Sequence, residues 1–164
     1  VSNNTMTGDG SRGTGISVIG SADTDVSISD NNVTGLELGI RVNGAGTSSG
    51  RALVQRNTVT GGMSCLRLQD GSYTVSGNQI AGSQYKISEY GTADVNYVNN
   101  TIDWDGYKGI AVSGTINHDM TWSPANALNQ PYVITGNVTV NSTLTILPGT
   151  IVKVRRSSTL LFMQ

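Results

Sequence analysis

The chain has 164 residues, of which 21 are glycine and 13% are charged, and its formal net charge is −1. It shows neither a basic stripe nor aromatic residues interleaved with Arg and Lys, so its composition does not fit a nucleic-acid-binding protein. No run approaches the roughly 18 consecutive apolar residues of a membrane helix, so membrane insertion is not expected.

A short phrase recurs five times along the chain: Asn, any residue, an apolar residue, a small residue and then usually Gly. The phrases start 27, 26, 21 and 22 residues apart, at Asn4, Asn31, Asn57, Asn78 and Asn100. A period in this range is typical of a solenoid, because each unit is one coil that buries its apolar face only by stacking on its neighbours. The repeat therefore predicts a stack of about five coils over this part of the chain.

Each repeat contains three short apolar segments that predict β-strands. Alternating apolar pairs precede the Asn in four repeats, at Val26/Ile28, Ala52/Val54, Tyr73/Val75 and Val95/Tyr97. A second strand follows the Asn, centred on Met6, Val33, Val59, Ile80 or Ile102. A third lies about ten residues further on, at 15–18, 39–42, 65–68, 86–88 and 109–112. Alternation also fits a β-sandwich, but the turns of a sandwich would not repeat one Asn at one register.

The repeated Asn has a physical role in such a stack. Successive coils rise by about 4.8 Å, the spacing between neighbouring strands, so equivalent side chains lie directly above one another. We expect the five amides to form a hydrogen-bonded ladder, as in other in-register stacks. We also expect these Asn residues to adopt the left-handed backbone conformation that a sharp bend needs.

The Asn phrase, the strand pair before it and the Gly-apolar-x-apolar strand after it resemble the right-handed parallel β-helix family. This all-β architecture occurs in pectate lyases, tailspikes and many bacterial or archaeal surface proteins. The resemblance covers about residues 1–116. It implies that the Gly-Ile-Arg-Val type of strand, as at 39–42, is the first strand of each coil, and that the Asn lies in a two-residue bend between the second and third strands. It also implies that an active groove, where one exists, follows the outward face of the first strand.

The character of the sequence changes near His118, which suggests three parts. We expect coils over residues 1–117, a crossover or capping loop over 118–131, and further coils over 132–164 that are truncated or abut the next segment. The run from Pro131 to Val154 resembles the opening turns of β-helix segments in large secreted surface proteins. Trp122 is expected to cover an open end of the stack. Because Val1 opens within a repeat phrase, we expect the chain to be a mature or excised piece of a longer protein.

The outward column of the first strand is predicted to contain Ser17, Arg41, Arg67, Ser88 and Ala111. Arg41 and Arg67 are the candidate substrate-binding residues, because two stacked guanidinium groups grip a uronate or a sulfate by paired hydrogen bonds. Aromatic candidates for sugar stacking are Trp104, Trp122, Tyr90 and Tyr107.

No catalytic residue is predicted. The resemblance implies that a lyase of this fold uses several acidic residues for calcium and a basic proton acceptor, and glycoside hydrolysis takes two carboxylates about 5–9 Å apart. No such set of carboxylates is expected beside the arginines. Asp70 is expected at a strand end and Glu89 one step past its strand. Asp103 and Asp105 are expected on another face, as solvent-exposed loop residues. His118 is the only histidine, and a capping or loop role is expected for it.

Cys65 is the only cysteine, which excludes an internal disulfide, and it is expected to be a small buried apolar residue. We expect no metal and no cofactor. Five Asn-x-Thr triplets, at Asn3, Asn32, Asn99, Asn137 and Asn141, are possible glycosylation acceptors. A ladder of Asn beside Thr-rich strands also creates such triplets without any modification.

These features favour a rigid structural or adhesive segment of an extracellular or cell-surface protein. Its partners would be surface glycans and other copies of itself, joined end to end into a fibre through exposed strand edges. Two alternatives remain open: a polysaccharide-binding module without turnover, and a polysaccharide lyase or glycoside hydrolase that uses Arg41 and Arg67.

Overall fold

A computed structural model describes residues 1–20, 25–45 and 50–163 of the chain. The regular secondary structure of these residues consists of β-strands alone. In chain order the strands are β1 (Thr5–Thr7), β2 (Thr14–Ile19), β3 (Ser27–Ser29), β4 (Asn32–Thr34), β5 (Leu38–Asn43), β6 (Ala52–Gln55), β7 (Thr58–Thr60), β8 (Ser64–Ser76), β9 (Gln79–Ala81), β10 (Tyr85–Val98), β11 (Thr101–Ile102), β12 (Ile110–Ile116), β13 (Met120–Trp122), β14 (Tyr132–Val140), β15 (Leu144–Ile146), β16 (Val152–Val154) and β17 (Leu160–Phe162).

The strands stack in parallel as a β-solenoid of about six turns, which confirms the predicted fold class. The largest sheet runs β16-β14-β12-β10-β8-β5-β2, with β17 paired to β14, β6 to β8 and β3 to β6. A second sheet, β1-β4-β7-β9-β11, contains the strands that follow the repeated Asn. β13 and β15 form a third sheet of two strands. In β8 and β10 the first and second predicted strands of a coil join into one long, bent strand.

The core is a set of apolar columns, one residue from each coil. Along the largest sheet, Ile40 pairs with Leu66 and Leu66 with Ile87, and each of these side chains is completely buried. Val59 belongs to the equivalent apolar column of the second sheet, where it pairs with Val33 in β4 and Ile80 in β9. Cys65 is buried as predicted, and burial raises the pKa of its thiol. Each coil therefore covers the apolar face of the next one.

The five repeated Asn residues form a continuous hydrogen-bonded column. Each side-chain amide donates to the Oδ1 atom of the Asn in the next coil: Asn4 to Asn31 at 3.0 Å, Asn31 to Asn57 at 2.9 Å, Asn57 to Asn78 at 3.0 Å and Asn78 to Asn100 at 2.9 Å. The backbone N–H of each donor residue bonds the same oxygen. The three central residues are buried, so these bonds satisfy amides that water does not reach.

The left-handed residue of each bend is not the ladder Asn, which corrects the expectation from the sequence. It is the residue immediately before it, namely Asn3, Asp30, Arg56, Gly77 or Asn99, with φ between 52° and 62°. The bend itself has the predicted two-residue length, since Arg56 and Asn57 separate β6 from β7. The preceding residue turns the chain, and the Asn then points inward to hold the bend.

The predicted loop over 118–131 contains a strand, which is a second correction. Met120 and Trp122 in β13 pair with Leu144 and Ile146 in β15, the same alternating apolar pattern that forms the other strands. Trp122 is only 2% exposed and stacks on Tyr132, with ring centroids 4.6 Å apart. It does not cover an open end, because β15 lies on the next coil above it.

Candidate functional site

The strand register aligns the predicted outward column. Ser17 pairs with Arg41, Arg41 with Arg67, Arg67 with Ser88, and Ser88 with Ala111. The two arginines therefore occupy adjacent coils at the same position of the strand. Neighbouring parallel strands are about 4.8 Å apart, so the backbones of Arg41 and Arg67 are separated by one strand spacing.

Arg41 and Arg67 line a groove of about 340 Å³ on the outer face of the largest sheet. We call this site the arginine groove; its other lining residues include Glu37, Tyr85, Tyr90 and Ser88. The guanidinium carbon of Arg67 lies 4.1 Å from the ring centroid of Tyr90, which is a cation–π contact. Tyr90 thus holds Arg67 against the wall of the groove and keeps its charge beside the opening.

The Nε atoms of both arginines are buried and have no hydrogen-bond partner. Among the described residues the ion pairs are Arg51–Asp94, Arg56–Asp30 and Lys86–Asp105, so neither groove arginine has a carboxylate partner in that part of the chain. Buried N–H donors normally have a partner, and two adjacent cations repel each other unless an anion lies between them. The arrangement is therefore suited to bind an oxyanion from outside the chain.

One rim of the groove is a stack of aromatic and guanidinium groups. The rings of Tyr85 and Tyr107 are stacked with centroids 5.2 Å apart, and Arg155 lies 5.2 Å from the centroid of Tyr107. Arg155 also donates a hydrogen bond to the hydroxyl of Tyr85. These contacts fix the position of Tyr85 at the groove. Tyr85 and Glu37 were not singled out in the sequence, since only the folded stack brings them to the arginine column.

Of the aromatic residues proposed for sugar stacking, Tyr90 lines the groove and Tyr107 supports its rim. Trp122 is buried, and Trp104 packs partly buried against the core. Of these four candidates, therefore, only Tyr90 lines the arginine groove and only Tyr107 contacts a residue that does.

Asp103 and Asp105 hold a loop. The Oδ1 atom of Asp103 accepts a hydrogen bond from the backbone N–H of Asp105 at 3.2 Å. The carboxylate of Asp105 pairs with the completely buried Lys86 at 2.7 Å, and this hydrogen bond lowers the pKa of Asp105. Lys86 also donates to the carbonyl of Ser83 at 2.7 Å. The pair thus compensates the buried charge of Lys86, and both carboxylates lie outside the groove lining.

Glu89 lies within a strand and faces the core, contrary to the position expected from the sequence. It belongs to β10 and pairs with Leu68 on one side and Val112 on the other, so it interrupts an apolar column. The hydroxyl of Tyr97 donates to its Oε1 atom at 2.7 Å. Burial raises the pKa of Glu89 to about 7, because a charged carboxylate loses its hydration there.

A second cavity, of about 360 Å³, opens beside Glu89 where the second half of β10 faces β13. We call it the junction cavity; it is also lined by Asp94, His118, Asp119 and Trp122. Hydrogen bonds from the Ser142 hydroxyl at 2.6 Å and from a backbone N–H lower the pKa of Asp119. In the chain, the cavity-lining strand β13 begins the third sheet, shortly after the second sheet ends at β11.

The five possible glycosylation acceptors are all on the surface: Asn3, Asn32, Asn99, Asn137 and Asn141 are exposed. Their outward position meets the steric requirement for a glycan on each of them.

Within the described residues, no cluster of three or more His, Cys, Asp or Glu side chains is arranged to hold a metal ion. Those residues also include no helix with the length and apolar character to cross a membrane. In comparisons with known proteins, the chain matches no family model, no curated protein and no solved structure.

Proposed function

We propose that this chain is a rigid segment of an extracellular or cell-surface protein, of the right-handed, pectate-lyase-like class of parallel β-helix. We propose further that it acts in adhesion by binding acidic glycans in the arginine groove. One observation carries this proposal: Arg41 and Arg67 line the same groove, and among the described residues neither has a carboxylate partner and neither buried Nε–H has a hydrogen-bond acceptor.

The chemistry of the groove matches a uronate or sulfated saccharide better than a neutral one. A guanidinium group binds a carboxylate or sulfate through two parallel N–H···O bonds, and hydrogen bonds to charged groups contribute about 1.5–3 kcal/mol each. The rings of Tyr85 and Tyr90 offer apolar surface to the C–H face of a sugar. Arg41 and Arg67 supply the charge recognition, and the tyrosines supply the contact area.

Binding without turnover fits the groove best. Glu37 is the only carboxylate among the described residues that line it, whereas glycoside hydrolysis by the common mechanisms takes two.

Isothermal titration with oligogalacturonate and chondroitin sulfate, and with a neutral maltooligosaccharide as control, tests the proposal. An acidic glycan should bind, and Arg67→Gln should weaken binding about tenfold, the loss of one charge-assisted contact. Arg156→Gln removes an exposed positive charge outside the groove and should leave the affinity unchanged. Equal binding of the neutral glycan, or equal binding by Arg67→Gln, would contradict the proposal. Accumulation of unsaturated uronates during incubation would indicate a lyase instead.

A second candidate function, end-to-end assembly, is favoured by the coil that contains β16 and β17. Among the strands that the structure describes, both pair with β14 alone, and the coil exposes Ile151 at 58%, Val154 at 54% and Phe162 at 53% of their surface. An unpaired strand edge beside exposed apolar side chains is a template for another coil. Sedimentation velocity over a concentration series should reveal self-association that Phe162→Lys weakens. A monomer at every concentration would contradict it.

A further inference from the structure

The junction cavity lies between two strand edges that pair with no further strand in the described part of the chain. The first half of β10 pairs with β12 through Ile87–Tyr90, but the second half, Ala93–Val98, pairs only with β8. β13 pairs only with β15. Ala93–Val95 and Met120–Trp122 line the cavity from its two sides. Edges of this kind present N–H and C=O groups, which an extended peptide can pair with as an added strand. On β13 the Thr121 carbonyl already accepts one hydrogen bond, from the side-chain amide of Asn126 at 3.2 Å, and its second lone pair can accept another from a peptide N–H.

The interior of the cavity is acidic. Glu89 is 8% exposed, and only its Oε1 atom has a partner among the described residues, the hydroxyl of Tyr97. Asp94 and Asp119 stand at the rim, where Asp94 pairs with Arg51 at 2.8 Å. A buried carboxyl with one oxygen unpartnered, set in an acidic rim, favours a cationic group over a neutral or anionic one.

We propose that the junction cavity accepts an extended, basic segment of a partner polypeptide as an added strand between β10 and β13, with a Lys or Arg side chain directed at Glu89. Charge complementarity selects this occupant over an acidic one. The two strand edges select a peptide over a glycan, because a glycan lacks the alternating N–H and C=O groups of a polypeptide. The site is separate from the arginine groove, so the inference is independent of the proposed function.

Three matched pentapeptides test the inference with the full chain. The first is acetylated, amidated Thr-Val-Lys-Val-Thr, in which the central side chain points to the face opposite the two Val. The second has Glu in place of Lys. The third has the Lys sequence with both Val nitrogens methylated, which removes two backbone donors. Binding is followed by ¹⁵N–¹H chemical shifts, which also report where the peptide lies.

The Lys peptide should bind and shift the amides of Ala93–Val98 and Met120–Trp122. The Glu and N-methylated peptides should bind at least about tenfold more weakly, as should the Lys peptide with Glu89→Gln, because each change removes a charge-assisted or backbone hydrogen bond. Arg67→Gln should leave peptide binding unchanged, which separates this site from the glycan site. Equal affinity for all three peptides, shifts confined to other residues, or a failure of the Lys peptide to bind the wild type would overturn the inference.

Discussion

Replacing Glu89 by Gln should stabilise the protein above neutral pH and remove part of its pH dependence. In the unfolded chain this carboxyl has an ordinary pKa of 4.5, and in the folded core its pKa is about 7. Below pH 4.5 both states hold the proton, so the buried position carries no ionisation penalty. Between pH 4.5 and 7 the unfolded state releases the proton while the folded state retains it, so stability falls as pH rises.

The size of the effect follows from the difference between the folded and unfolded pKa values of Glu89. A tenfold difference in proton affinity corresponds to about 1.36 kcal/mol, so the whole difference lowers the free energy of unfolding by about 3 kcal/mol at pH 8 relative to pH 4. The glutamine of the Glu89→Gln variant has no proton to release and accepts the same hydrogen bond from Tyr97. The nearby charge of Asp94 also raises the pKa of Glu89, and Tyr132 packs nearby.

Urea unfolding of wild type and Glu89→Gln at pH 4, 5, 6, 7 and 8 measures this difference directly. The gap between the two free energies should grow by about 3 kcal/mol toward alkaline pH in favour of the variant. The Glu37→Gln variant, altered in the arginine groove, should follow the wild type. A constant gap between Glu89→Gln and wild type across this range would refute the argument that Glu89 is buried in the core.

Two further substitutions test the stack. Asn57→Ala removes buried hydrogen bonds in the middle of the ladder and should lower the unfolding free energy by about 2–4 kcal/mol. The control, Asn32→Ala, alters an exposed residue and should change it by less than about 0.5 kcal/mol. Similar urea midpoints for the two variants would contradict the ladder. Gly62→Ala should lower the unfolding free energy by about 3 kcal/mol more than Gly10→Ala. Both glycines have φ near 83°, so the backbone strain of the substitution is the same. A Cβ at Gly62 would lie 1.8 Å from the Leu36 carbonyl oxygen, whereas a Cβ at Gly10 would have no other atom within 4 Å. Equal thermal unfolding midpoints for these two variants would show that the close approach is absent.

The fold was predictable because each repeat of the sequence contains the strand and bend signals of one coil. The Asn phrase and the apolar alternation are local patterns, and their constant phase places Val59 above Val33 and below Ile80 without any knowledge of the structure. The same constant phase predicted that Arg41 aligns with Arg67, and the two residues pair in the largest sheet.

The junction cavity was not predictable, because it forms where the repeat stops. Glu89 stands two residues after Ile87, and strict alternation from Ile87 would have placed it inward, whereas the predicted strand ended at residue 88 and left Glu89 one step past it. A charged residue at a position where the other coils have apolar residues was the one sign in the sequence of an unusual site there. Arg155, which supports Tyr85 at the arginine groove, comes from a coil 70 residues away, and no local pattern joins the two.

The conformation of the bends also depended on the assembled stack. The repeated Asn led us to expect the left-handed conformation at the Asn itself. The residue before it adopts positive φ instead, even where that residue is Arg56. The ladder bonds on both sides of Asn57 fix its side chain inward, which leaves the turn to its neighbour.

Through-space contacts measured by NMR on isotope-labelled protein test the in-register parallel stack most directly. An in-register parallel stack should give contacts from the side-chain amide protons of Asn57 to the backbone of Asn78, and between the side chains of Val59 and Ile80. Close pairs of α-protons across neighbouring strands, the signature of antiparallel pairing, or an Asn57 amide that exchanges freely with water, would contradict it.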